Sequence, residues 1–159
     1  MNHQRDFEEK YDTEALMIAE NAAWRWSLRP TQCTLGAGLI AARSPLTALG
    51  AMTSESALLF AEITALAEQV TRVLLTPDKF NHLSLMMIDP HLHFHFVPRY
   101  ASERISYDQT FVDSGWPGFP ALGVSQGGAN LLSALLSDLR SCVATLPKAL
   151  LAHEASGSG

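Results

Sequence analysis

Hydrophobic positions recur along this chain with two different periods, and the switches between them mark its elements. From 54 to 75, Leu59, Ile63, Leu66, Val70 and Val73 return every four or three residues, predicting a long helix with one apolar stripe. Ser54 is placed to cap its start, Glu68 and Arg72 form a supporting i,i+4 pair, and Pro77 stops it. A second helix over about 127–145 carries Leu131, Leu135, Leu139 and Val143 on one face and ends before Pro147. Residues 6–20 read as a shorter helix, polar and then amphipathic. Strands are expected at 22–29 and 34–43, bent around Pro30 and broken by Gly36 and Gly38. Two more, over 80–87 and 91–99, read as an antiparallel hairpin turning tightly at Asp89-Pro90. Interleaved helices and adjacent antiparallel strands make this an α+β domain.

Composition narrows the class. The chain has 159 residues, enough for one domain (1–155) with an ordinary core, and its final SGSG (156–159) reads as a flexible tail. Its 47% hydrophobic content argues for a folded globular protein, and no apolar run is long enough to predict a membrane-spanning helix. No apolar segment follows the charged start MNHQRDFEEKYD, so secretion is not expected and a cytoplasmic protein is. Cys33 and Cys142, with no CxxC pair, read as free thiols. The net charge of −5, from 11 basic and 16 acidic residues, argues against long nucleic acid as a partner. A small phosphate ligand needs only local donors, and Arg25, Arg29, Arg43 and Arg99 are available for one.

The most informative stretch is HLHFHFVPR, residues 91–99. In a strand, His91, His93 and His95 share one face, spaced by about 6.5–7 Å along the chain, while Leu92, Phe94 and Phe96 take the other. Imidazole titrates near neutrality, so such a row can supply a nucleophile, a proton carrier or metal ligands. A metal site would use two of these histidines with His82 or Asp89 as the third ligand. Asp89 otherwise caps a turn or accepts a hydrogen bond from a histidine. A plain structural strand is the remaining reading. The apolar faces of Trp24 and Trp26 either belong to the core or shelter a nucleobase. Arg99, leaving the strand beside the histidines, either contacts a phosphate or carboxylate or lies solvated on the surface.

The alternation from His91 to Val97, with Pro98-Arg99 after it, closely resembles the defining motif of the histidine triad (HIT) family. The likeness extends over about 15–100: a long helix before the site, Asn81 on the preceding strand, and QCTLG at 32–36, where family members place a strand beside the nucleotide. The WPG segment at 116–118 looks like an aromatic C-terminal loop of some bacterial members. The resemblance implies a HIT-like α+β fold with about five antiparallel strands, and hydrolysis or transfer at the α-phosphate of a nucleotide conjugate; the alternative is a HIT-like protein that binds nucleotide without turning it over. It makes His93 the nucleophile, His91 and His95 its supports at the phosphate, and Asn81 and Gln32 neighbours of the nucleotide. It further implies a homodimer and no metal or other cofactor. Two departures stand out. Ala37 occupies the place of a fourth histidine found in many members, and MMIDP (86–90) replaces a Gly/Gln/Ser-rich phosphate-holding segment, with Ser84 too far back to substitute.

Gly123-Val-Ser125-Gln-Gly127 spells the G-x-S-x-G nucleophile elbow, and Asp138 and His153 follow in triad order. The context argues against it. GFPAL is too short and Pro-broken for the buried strand this motif requires, and Ser125 reads as a helix N-cap or loop residue.

Overall fold

The computed structural model describes residues 2–147. His153 and the SGSG tail lie outside the described residues. The chain runs through α1 (His3–Tyr11), β1 (Met17–Glu20), β2 (Trp24–Leu28), β3 (Gly38–Ala42), α2 (Ser54–Leu75), β4 (Lys79–Leu83), β5 (His93–Arg99), β6 (Arg104–Ser106), β7 (Gln109–Phe111) and α3 (Leu131–Thr145). Five antiparallel strands form one sheet in the order β1-β2-β3-β5-β4, and β6-β7 is a separate hairpin. The described residues are thus α+β, with a five-stranded antiparallel sheet and three α-helices, as the resemblance implies. Among the described residues no helix is long and apolar enough to cross a membrane.

Register assigns the two faces of the sheet. Trp26 lies opposite Ile40, Ile40 opposite Phe94, and Gly38 opposite Phe96, so these residues share one face. Ile63, Ala67 and Val70 of α2 and Leu135 and Leu139 of α3 pack there, forming the main core with Trp24, Trp26 and Phe96. Each large apolar side chain buried in it contributes roughly 1.5–3 kcal/mol. On the other face Leu39 lies opposite His95 and Ala41 opposite His93, and Phe7 of α1 packs onto Leu39 and Ala41. The histidines therefore face away from the main core.

Several elements differ from their sequence expectations. The helix expected over 6–20 ends at Tyr11, where Asp12 takes a left-handed conformation and its N–H bonds to the carbonyls of Glu8 and Glu9. Residues 17–20 instead pair with β2. The α2 cap is Thr53, whose hydroxyl accepts from Ser56 N–H at 3.1 Å, so Ser54 is already helical. Val73 lies off the buried stripe, at 62% exposure. The strand expected over 80–87 stops at Leu83, and residues 84–92 form a long connection instead of a tight turn. Leu85, Met87 and Ile88 point into solvent from it, so their apolar character does not report a strand. The C-terminal helix begins at Leu131, and Ser125 lies in the loop before it without capping it.

Candidate active site

Strand β5 and the two residues before it bring the histidines together. His91 precedes the regular strand, and its Nε2–H donates to the carbonyl of Ala42 at 2.8 Å. Nδ1 of His93 lies 2.6 Å from the carbonyl of His91. A carbonyl only accepts, so the proton of His93 sits on Nδ1 and the lone pair of the neutral ring is left on Nε2. The rings of His93 and His95 meet edge to face, with centroids 5.0 Å apart.

Burial controls their protonation. The three histidines are 1%, 2% and 7% exposed, in chain order. Desolvation pushes His91 and His93 below the ordinary 6.5, against the opposing effect of their backbone hydrogen bonds. His95 falls further, to about 4, through burial first and then the positive influence of His93 and Arg29. At neutral pH all three rings are uncharged.

Helix α1 forms the roof. Phe7 lies 4.6 Å from His93 and 5.1 Å from His91, ring centroid to centroid. At the end of α1, Lys10 Nζ donates to both carboxylate oxygens of Asp89 at 2.8 and 2.9 Å, and the Tyr11 hydroxyl donates to Asp89 at 2.9 Å. Asp89 therefore ties the roof down and accepts no hydrogen bond from a described histidine. Burial works to raise its pKa, but the Lys10 and Tyr11 hydrogen bonds prevail and hold the carboxyl below its ordinary value. A cavity of about 270 Å³ opens beside His93 and His95 between Lys10, Tyr11, Arg29, the 85–89 segment and Leu122.

The remaining sequence-predicted residues lie elsewhere. Trp24 and Trp26 are fully buried on the opposite face; Trp24 packs on Phe60, so neither shelters a base in this structure. QCTLG is a turn between β2 and β3 rather than a strand. Gln32 is spent inside it, with Nε2 donating to the carbonyls of Arg29 and Ala37 and Oε1 accepting from Gly36 N–H. Arg99 is neither solvated nor free for a ligand. It makes a buried two-pronged pair with Asp113 at 2.6 and 3.1 Å and donates to Asn81 and Gly118. Asn81 shares the histidine face, opposite Val97, but it lines a different cavity of about 600 Å³ under the Trp116–Pro120 loop. His82 lies opposite Phe96 on the core face and pairs with Glu68 at 2.9 Å, out of reach of a shared metal with the histidines. Among the described residues no group of three or more His, Cys, Asp or Glu is arranged to hold a metal ion.

No protein-family profile and no curated protein matches the sequence. Solved structures do match. A histidine triad protein from Marinobacter aquaeolei superposes with a TM-score of 0.63 at 21% identity, over 86% of this chain and 95% of its own. One from Bradyrhizobium japonicum gives 0.62 at 21% identity, over 80% and 89%. A zinc-bound histidine triad family protein from Mycobacterium smegmatis gives 0.63 at 18% identity, over 91% and 96%. These likenesses establish the class: this chain has the histidine triad fold.

Lys10 and Tyr11 carry no sequence signal as site residues, because 79 and 78 positions separate them from Asp89.

Proposed function

We propose that this protein hydrolyses or transfers nucleotidyl groups at the α-phosphate of nucleotide conjugates, such as dinucleoside polyphosphates or nucleoside phosphoramidates. The observation that carries this reading is the 2.6 Å contact from His93 Nδ1 to the His91 carbonyl, which leaves Nε2 with its lone pair. In the first step Nε2 of His93 bonds to the α-phosphorus, and the bond to the leaving group breaks with its electron pair. Water or another acceptor then attacks phosphorus, the Nε2–P bond breaks, and neutral imidazole returns. Two easier displacements replace one difficult one. In this reading His91 orients the nucleophile through its carbonyl, and the ring of His95 donates to phosphoryl oxygens where charge accumulates. Asn81, on the histidine face of the sheet, stays a candidate neighbour of the ribose or phosphate. The same reading carries a homodimer, which sedimentation at several protein concentrations tests.

One observation favours a second reading, a nucleotide-binding protein without turnover: His93 is only 2% exposed beneath α1. Intact mass after brief, acid-free quenching with adenosine and guanosine polyphosphates and phosphoramidates separates the two. A nucleoside monophosphate adduct that disappears in His93→Ala is expected. Binding without adduct or released monophosphate, with affinity retained in His93→Ala, would establish the second reading.

A further inference from the structure

We infer that Arg29 is the anion-binding residue of the histidine cavity, holding an oxygen of a phosphate bound beside His93 and His95. This takes from the proposed function only that the ligand carries phosphate. Arg29 follows β2 on the face that bears the histidines and lines the cavity with His93 and His95. It is 8% exposed, yet among the described residues no carboxylate lies within 4.0 Å of its guanidinium. Nη1 donates to the carbonyl of Leu122 at 3.0 Å, and Nε is buried with no acceptor. Arg99 shows what the fold does with a buried guanidinium that serves structure: Asp113 takes it in a two-pronged pair.

The other charges around the cavity isolate Arg29 further. Asp89 offsets Lys10, and burial keeps the histidines neutral, so Arg29 supplies one uncompensated positive charge. A buried, unpaired ion is unfavourable and is retained where something supplies its counter-charge. The guanidinium fork suits the oxygens of a phosphate, and the half-buried apolar side chains of Met86 and Leu122 lower the local dielectric and strengthen that contact. Residues 86–90 offer no hydroxyl, and Arg29 is a donor lining the same cavity.

The test uses inorganic pyrophosphate at constant ionic strength, with binding read by calorimetry and unfolding temperature read with and without it. Pyrophosphate is expected to stabilise the wild-type protein. Arg29→Met should bind it at least tenfold more weakly and, without ligand, unfold no earlier than wild type, because an unpaired buried charge has been removed. On the wild-type protein, the Arg29 Nε–H resonance should shift as pyrophosphate is added. Undiminished binding by Arg29→Met, its earlier unfolding without ligand, or a stationary Nε–H resonance would each overturn the inference. Arg29-dependent pyrophosphate binding alongside a missing covalent adduct would sink the proposed chemistry and leave this site standing.

Discussion

A single backbone carbonyl decides which nitrogen of His93 keeps its lone pair, and burial favours the uncharged ring. Because desolvation holds the pKa of His93 below 6.5, turnover should keep its plateau as pH falls through 6.5 and decline only at lower pH. A pH profile of kcat/KM checks this, and a decline centred at 6.5 or above contradicts it. Stability follows the same sign. The unfolded chain binds protons at these histidines before the folded one does, so the stability they lend is complete above about 6.5 and is lost as pH falls. For His95 the loss extends down to about 4, measurable as a falling denaturation midpoint. The Arg99–Asp113 pair supplies another residue-scale expectation. Both side chains are almost fully buried, so Asp113→Ala strands a charge and should cost about 3–5 kcal/mol in chemical denaturation.

At the scale of elements, local chemistry and neighbours compete. Helix α2 ends on Thr76, an exposed β-branched residue held left-handed at φ 48°. Glycine adopts that conformation without the Cβ conflict, so Thr76→Gly should stabilise the protein by about 0.5–1 kcal/mol in urea unfolding. The same competition explains which elements were legible. Over 54–75 the apolar positions repeat for six turns, and no strand fits that spacing. The run Ala15–Ala19 is short and uniformly apolar, so periodicity cannot distinguish a helix end from an edge strand. Pairing with β2 made the choice. Leu85, Met86 and Met87 belong with these cases: apolar side chains usually report a buried strand, and here they edge an open cavity.

At the scale of the whole molecule, access to the histidines depends on a contact between distant parts of the chain. Lys10 and Tyr11 reach Asp89 and hold α1 over the site. The Lys10 side chain is 47% exposed, which limits such a pair to roughly 1 kcal/mol. Asp89→Ala should therefore leave the fold intact while α1 lifts more often. Modification of His93 by diethyl pyrocarbonate should quicken by up to about fivefold, the factor that about 1 kcal/mol represents. An unchanged rate would show that Phe7 packing alone keeps the roof closed.

The sequence by itself determined the side-chain alternation of β5, and with it the common face of His93 and His95, because a strand has a period of two. It determined α2 as well, through a repeat only a helix satisfies, and the α+β class that follows from both. Tertiary structure alone decided the partners. Arg99 and Arg29 look equally available in the sequence, yet one meets Asp113 and the other meets no described carboxylate. Trp24 and Trp26 are apolar on any reading, and only the packing of α2 and α3 puts them behind the sheet. Periodicity fixes the direction of a side chain along its own element, whereas a partner tens of residues away is set by how elements pack in three dimensions.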